Sequence, residues 1–227
     1  MNKEIRAFNF EVRAEKNEQH GTFITGTPIV FGQEEQLYDP IIGDYRESID
    51  PGALKSTDLK DVPLLVGHNT SGVPLARSRN NNDNSTMQMK VTETGMDIRA
   101  DLDTEGNPEA KTLYSAVKRG DMNGMSFMFT VDKDDWEDID TENPKRTIMS
   151  IRKVYEVSAV AFPAYKGTSI QAASEGSAPD GVRASLESAR QRLQEERAME
   201  ADQEDQERRT AVLEWLENYR KEEKQDV

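Results

Sequence analysis

Residues 124–129 read Gly124-Met125-Ser126-Phe127-Met128-Phe129, so large apolar side chains flank a single serine. Because side chains of a strand point alternately to opposite faces, Met125, Phe127 and Phe129 share one face, while Ser126 and Met128 share the other. This pattern predicts a strand with one face toward a core and the serine on the opposite face.

Similar short runs, separated by turn residues, predict further strands upstream and downstream. They are 5–14, 22–31, 62–66, 87–91, 96–102, 146–154 and 156–162. The runs 87–91 and 96–102 flank Glu93-Thr94-Gly95, which predicts a hairpin. A helix is expected after Asn107, an N-cap residue followed by Pro108, and Gly120 is expected to end it. Asp50 and Pro51 are expected to begin a second, short helix.

The predicted elements define an α+β fold class. We expect residues 1–172 to form a β-rich barrel with a few surrounding helices. Residues 174–181 are small, polar or Pro/Gly, and residues 182–224 are rich in Glu, Arg and Gln, so 173–227 is interpreted as a flexible linker with an acidic helical tail. A charged, solvated helix and a helix that docks on a partner are both compatible with the tail.

Composition excludes several function classes. The formal net charge of −14 argues against binding to nucleic acid, which needs clustered basic residues. The chain has no cysteine, which excludes disulfides, thiolate nucleophiles and cysteine-based zinc sites. We find no apolar run of membrane-spanning length and no signal-peptide core, so we expect a soluble, cytoplasmic protein that does not bind membranes.

Three residues form a candidate catalytic group. His68 closes the apolar run 62–67, whereas the other histidine, His20, lies in a polar stretch interpreted as a loop. An imidazole that accepts the Ser126 proton would turn an ordinary hydroxyl into a nucleophile. Glu156, a carboxylate within an apolar strand, is the candidate for the group that orients the imidazole, since a buried carboxylate needs a partner.

Each of these residues also has a structural explanation. A histidine at a strand end is more often structural than catalytic, a serine allows close packing of strands, and Glu156 can pair with Arg152 or Lys153. Spacing alone therefore does not decide between a serine hydrolase and a structural role. No metal or cofactor is expected, because one core histidine without cysteine does not make a zinc site.

Six segments occur in the order seen in the prohead proteases of tailed phages. They are 26–32 (Gly-Thr-Pro-Ile-Val-Phe-Gly), 49–54 (Ile-Asp-Pro-Gly-Ala-Leu), 62–69 (Val-Pro-Leu-Leu-Val-Gly-His-Asn), 74–77 (Pro-Leu-Ala-Arg), 120–129 and 156–160 (Glu-Val-Ser-Ala-Val). The chain resembles this family, which is similar in fold and catalytic logic to the herpesvirus assemblins, over approximately residues 5–170. The resemblance implies that His68 and Ser126 are the catalytic histidine and serine, with Glu156 as third member.

The resemblance also implies a function. These enzymes are serine endopeptidases that act inside the assembling procapsid in the host cytoplasm. They cleave scaffold-like segments of the major capsid protein and finally themselves. The expected partners are therefore the major capsid protein with its scaffold segment and a second copy of the chain, as substrate and in a possible homodimer. The acidic tail would dock on scaffold and be removed by self-cleavage.

The chain departs from the family pattern at three positions. Asn69 follows the histidine where Asp is common, Ala76 replaces a glycine, and Met128 stands where glycine is common. Met128 shares the predicted face of Ser126 and is expected to shape the substrate channel. Backbone N–H groups are expected to form the oxyanion hole, with Arg77 contributing through its charge or a bridging water.

Two other functions remain open at this point. A non-enzymatic assembly factor would combine the β-rich domain with a scaffold-like helical tail and would not need Ser126, His68 or Glu156. A different hydrolase, an esterase or amidase, would use the same pair. It ranks last, because the chain has no Gly-x-Ser-x-Gly motif of the α/β-hydrolases.

Overall fold

A computed structural model describes residues 3–8, 12–17, 21–161 and 179–223. Its strands are β1 (Glu4–Phe8), β2 (Arg13–Asn17), β3 (Gly21–Val30), β4 (Glu35–Asp39), β5 (Gly43–Ile49), β6 (Pro63–Val66), β7 (Ala76–Arg77), β8 (Met87–Val91), β9 (Gly95–Asp101), β10 (Gly124–Glu137) and β11 (Lys145–Val160). Its helices are α1 (Pro108–Arg119) and α2 (Pro179–Glu223), with a short 3₁₀ turn at Arg79–Asn81.

The strands form two sheets. The larger sheet has the order β1-β10-β11-β5-β4, and β6 and β7 extend it beside the C-terminal half of β11. The smaller sheet has the order β2-β3-β9-β8. The long hairpin of β10 and β11 is the centre of the larger sheet: β11 pairs in parallel with β5 near its start and with β6 near its end.

The α+β class with a helical C-terminus is confirmed, but the expected barrel is wrong. The path of the larger sheet ends at β1 on one side and at β4 on the other, and these two edge strands do not pair with each other. Alternation of apolar residues reports which face of a strand is buried, whereas closure depends on long-range strand pairing that the pattern does not contain.

The two sheets pack on one hydrophobic core. Met125, Phe127 and Phe129 of β10 are fully buried in it, with the two phenylalanine rings stacked at 4.5 Å. From the smaller sheet, Ile24 and Met96 are equally buried. The predicted orientation of β10, with its apolar face toward the core, is therefore confirmed.

The locally encoded elements also agree with prediction. The Asn107 side chain accepts the Glu109 N–H at 2.9 Å at the start of α1, and Gly120 ends the helix at φ 80°. Strands β8 and β9 form the predicted hairpin. Asp50 caps a turn, accepting the Gly52 N–H at 2.6 Å, but the chain there forms successive turns and not the short helix expected.

The chain divides into two compact units, Met1–Ser185 and Leu186–Val227, and the division falls within helix α2. Within the first unit, Arg183 binds the Asp39 carboxylate at 3.0 and 2.9 Å, and the Trp136 indole donates to Ser185 Oγ at 2.8 Å. The second unit is a highly charged helix with intrahelical ion pairs such as Arg209–Asp205. The predicted boundary at 172/173 and most of the predicted linker lie outside the described residues.

Candidate active site

His68 lies in a tight turn that follows β6. Gly67 and His68 have φ values of 58° and 61°, both left-handed, and Asn69 N–H donates to the Val66 carbonyl at 3.1 Å. Two consecutive left-handed residues are typical of a type I′ turn. Non-glycine residues adopt this backbone rarely, and such strained positions cluster at functional sites. Gly67 N–H also bonds to the Ala159 carbonyl at 3.0 Å, which ties the turn to β11.

Glu156 is placed by a bulge in β11. Phe129 pairs with Val154 and Met128 pairs with Glu156, so Tyr155 is an extra residue opposite this pair. Val154 and Val157 are three residues apart, yet both are fully buried in the core. An odd spacing places two side chains on one face only when a bulge interrupts the alternation. The bulge thus keeps the core intact while Glu156 lies on the opposite face.

His68 and Glu156 form a close pair. The imidazole Nδ1 lies 2.6 Å from Glu156 Oε1, and only 2% of the Glu156 side chain and 16% of the His68 side chain are exposed. An ionised carboxylate can only accept, so a neutral imidazole beside it carries its proton on Nδ1 and its lone pair on Nε2. The carboxylate therefore fixes the tautomer that a general base requires.

Ser126 lies on the strand next to this pair. In the register of β10 and β11, Ser126 is directly opposite Ser158, and Ser158 Oγ accepts the main-chain N–H of His68 at 3.1 Å. Directly opposed residues of antiparallel strands have Cα atoms about 4.5–5.5 Å apart and point to the same face. Ser126 therefore lies on the same sheet face as Glu156, directly across from the serine that bonds to His68.

The Ser126 hydroxyl points to the neighbouring strand. It donates to the main-chain carbonyl of Arg6 at 2.7 Å, and the residue is fully buried. A hydroxyl has one proton, so in this arrangement that proton is not shared with His68. The described state therefore contains a His68–Glu156 pair and a Ser126 hydroxyl that is bonded to Arg6 and not to the imidazole.

Buried ion pairs hold β1 beside β10, the strand of Ser126. The Arg6 guanidinium bonds to Glu47 at 2.5 and 2.8 Å and to Glu4 at 2.9 Å, and Arg146 bonds to the same two carboxylates. Burial raises the pKa of the Glu47 carboxyl, but Arg6 and Arg146 outweigh burial and leave that pKa below its usual value. Strand β1 is thus anchored by charge, and the Arg6 carbonyl stays next to Ser126.

The other two predicted residues differ in their proximity to this site. Met128 is the cross-strand neighbour of Glu156 on the Ser126 face, half-buried. Arg77 pairs with Pro63 at the start of β6, whereas His68 follows the end of that strand. The Arg77 guanidinium binds Asp61 at 2.8 and 3.0 Å. The structure does not bring Arg77 into the group, and its role at an oxyanion stays a prediction.

Two contact residues were not assigned from the sequence. Ser158 is two positions after Glu156, and side chains alternate along a strand. The sequence therefore indicated that Ser158 and Glu156 lie on the same face. The Arg6 carbonyl had none, because it depends on β1 pairing with β10. In the described part of the chain, no cluster of three or more acidic or histidine side chains could hold a metal ion. His20 lies outside the described residues.

Two comparisons with known proteins find similar sequences. Residues 8–180 match the family described as caudovirus prohead serine protease. The prohead protease of Enterobacteria phage HK97 is 30% identical over 125 residues, which are 54% of this chain and 50% of that protein. The match therefore spans about half the length of this relative. A search of solved structures finds no significant match.

Proposed function

This chain belongs to the caudovirus prohead serine proteases, and on that premise we propose that it is an endopeptidase with Ser126 as nucleophile. The observation that carries the proposal is the 2.6 Å contact between His68 Nδ1 and Glu156 Oε1, beside the strand of Ser126. His68 is the general base, and Glu156 orients its ring.

The reaction is acyl transfer in two halves. His68 Nε2 takes the Ser126 proton while Oγ attacks the carbonyl carbon of the scissile peptide bond, and the carbonyl oxygen becomes an oxyanion. His68 returns the proton to the leaving amine, the C–N bond breaks, and an ester on Ser126 remains. Water then attacks the ester while His68 takes a proton from it, the bond between the acyl carbon and Oγ breaks, His68 returns the proton to Oγ, and the acid product leaves.

Glu156 acts on the imidazole and not on the substrate. Its negative charge stabilises the imidazolium that forms in both halves of the reaction, and its hydrogen bond holds the proton on Nδ1. Because Glu156 is 2% exposed, water screens this interaction little. The buried position that looked costly in the sequence is thus what makes the carboxylate effective.

The described arrangement is a resting one in this mechanism. For attack, the Ser126 hydroxyl leaves the Arg6 carbonyl and turns toward His68 by rotation about χ1, whose staggered wells are about 120° apart. The hydrogen bond to Arg6 is a neutral one, worth about 1 kcal/mol net, so its loss is a small part of a reaction barrier. Substrate must also reach a serine that is fully buried here.

The proposed substrates follow from family membership. We propose that the enzyme cleaves scaffold-like segments of the major capsid protein inside the assembling procapsid, within the host cytoplasm, and finally cleaves itself. Confinement raises the effective concentration of substrate, so a modest catalyst suffices. The negative net charge of −14 argues against nucleic acid as partner. No helix among the described residues has the length and apolarity to cross a membrane.

A non-enzymatic assembly factor is the second candidate. One observation favours it: Ser126 is fully buried and its hydroxyl is bonded to Arg6. A serine that only stabilises strand packing would have these properties. Such a factor would support capsid assembly equally well with Ser126 replaced.

Self-processing tests the two candidates. The full chain is expressed with a capsid protein that carries its scaffold segment, and the masses of both are followed by mass spectrometry. We expect wild type and Ser78→Ala, a control with another buried serine, to be shortened and to cleave the scaffold segment. Ser126→Ala should leave both proteins at full length. If Ser126→Ala is processed like wild type, or if wild type stays intact, the protease proposal is wrong.

A further inference from the structure

We propose that Ser158 is a positioning residue that holds Glu156 and His68 in their working arrangement through a single hydroxyl. The inference rests on the proposed function, because it concerns the same catalytic pair. Ser158 is fully buried on β11, two residues after Glu156 and directly opposite Ser126.

The Ser158 hydroxyl makes one hydrogen bond to Glu156 and another to the main chain of His68. Ser158 donates its proton to Glu156 Oε2 at 2.5 Å, and its oxygen accepts the main-chain N–H of His68 at 3.1 Å. The ring of His68 contacts the other carboxylate oxygen, Oε1, at 2.6 Å. These contacts form a closed loop from the Glu156 carboxylate through Ser158 to the His68 backbone, and from the His68 ring back to the carboxylate.

Each of the two Ser158 hydrogen bonds restricts a motion that would disturb the pair. The bond to Oε2 fixes the rotation of the carboxylate, so that Oε1 faces the imidazole. The bond to the His68 N–H holds a backbone with φ 61°, which is costly for a non-glycine residue and needs support from its surroundings. Without the hydroxyl, a buried carboxylate oxygen and a main-chain N–H would both lose a partner, and the ring would be free to move.

The same contacts distinguish Ser158 from a nucleophile. Its only proton is given to a carboxylate, and the His68 atom it touches is the main-chain nitrogen and not the ring. Neither serine donates to the ring in this geometry, but Ser158 donates to a carboxylate, which makes a stronger hydrogen bond than the neutral carbonyl that holds Ser126. Of the two serines opposed across β10 and β11, Ser126 remains the nucleophile and Ser158 acts through its neighbours.

The test compares wild type with Ser158→Ala, Ser158→Thr and Ser78→Ala, all in the full chain. Ser78 is a matched control: it is 1% exposed, and its hydroxyl accepts one main-chain N–H, that of Val62 at 2.9 Å, just before β6. One readout is the proton NMR signal of the His68 ring N–H in ¹⁵N-histidine protein, assigned with His20→Gln. The other is the rate at which a small fluorophosphonate labels Ser126.

We expect Ser158→Ala to lose the ring N–H signal to exchange with water and to slow labelling by about 100-fold, the typical cost of a small misplacement of a catalytic group. Ser158→Thr keeps a hydroxyl and should retain both. Ser78→Ala should retain both while it loses thermal stability. If Ser158→Ala does not fold, Ser158→Cys, with a similar size and a weaker donor, takes its place with the same expected losses.

The proposal is overturned if Ser158→Ala keeps the ring signal and labels at the rate of Ser78→Ala, or if Ser158→Thr behaves like Ser158→Ala. Absence of labelling in wild type would count against the protease function and not against Ser158. In that case the ring N–H signal alone decides whether Ser158 orders the pair.

Discussion

Strand β11 carries a buried charged side chain near each end, and the two side chains have very different hydrogen-bond partners. Near its start, Arg146 is 1% exposed and bonds to three carboxylates, those of Glu4, Glu47 and Asp134. Near its end, Glu156 is 2% exposed, and its described partners are an imidazole and a hydroxyl. Arg146 is thus bound by three opposite charges, whereas Glu156 is bound by one imidazole and one hydroxyl.

This difference suggests two roles: the Arg146 end stabilises the fold, and the Glu156 end is the one proposed to take part in catalysis. The opposite charges around Arg146 come from three other strands, so this end joins β1, β5, β10 and β11. Among its described contacts the Glu156 carboxylate has no guanidinium or ammonium group beside it, and in the proposed mechanism an imidazolium forms next to it during the reaction. We therefore expect substitutions at the two ends to separate stability from activity.

The largest expected effect is on activity at the Glu156 end. Glu156→Gln keeps the size of the side chain but removes the charge that stabilises the imidazolium and fixes its tautomer. Labelling of Ser126 by a fluorophosphonate should slow by about 10³–10⁴-fold, as when the acid of a comparable triad is replaced by its amide. The midpoint of thermal unfolding should change little. A labelling rate within a few fold of wild type would contradict the assignment of Glu156.

The next effect is on stability at the Arg146 end. Arg146→Met removes one of the two guanidinium groups that bind Glu4 and Glu47, and the one that binds Asp134, which costs about 3–5 kcal/mol of unfolding free energy. The control is Arg152→Met on the same strand, whose ion pair with Asp132 is about half exposed and is worth less than about 1 kcal/mol. Urea unfolding measures both. The labelling rate per folded molecule should stay near wild type, and a loss as large as that of Glu156→Gln would break the comparison.

Acid should act on the Arg146 end through Glu47. The pKa of Glu47 is lowered in the fold, because Arg6 and Arg146 outweigh its burial. A lowered pKa contributes stability above the ordinary glutamate value of about 4.3, and that stability is lost as pH falls through the folded-state value. Glu47→Gln should lower the unfolding free energy by about 2 kcal/mol at pH 7. This difference should shrink below pH ~4, and a constant difference would contradict the role of charge.

The smallest effect concerns the first turns of α2. Ser185 Oγ donates to Asp134 at 2.7 Å and accepts from Trp136, so these turns dock at the Arg146 end of β11. Ser185→Ala should cost about 1 kcal/mol of unfolding free energy and leave the labelling rate unchanged. Slower labelling would show that the docked turns affect the Glu156 end as well, and would contradict the separation of the two ends.

Local features were predictable from the sequence, and long-range pairings were not. The cap at Asn107, the hairpin around Glu93 and the core face of β10 are each encoded within a few residues. His68 and Glu156 were singled out because a terminal histidine and a buried carboxylate are chemically unusual where they stand. The open sheets were missed, because alternation does not determine which edge strands meet.

The contacts that complete the site depend on register. Ser158 lies opposite Ser126 only because β10 and β11 pair as they do, and the bulge at Tyr155 that permits this has no evident sequence signal. Arg146 meets Glu4 across 142 residues of sequence. Pairing over such distances depends on the whole fold, so the anchor of β1 could not have been inferred from the pattern.

The most direct measurement is the position of the adduct after the full chain reacts with a fluorophosphonate, located by peptide mass spectrometry. The proposed assignment predicts an adduct on Ser126 in the wild type and in Ser78→Ala. The adduct should be absent in His68→Ala. An adduct on Ser158, unchanged modification of Ser126 in His68→Ala, or no adduct on wild type would contradict it.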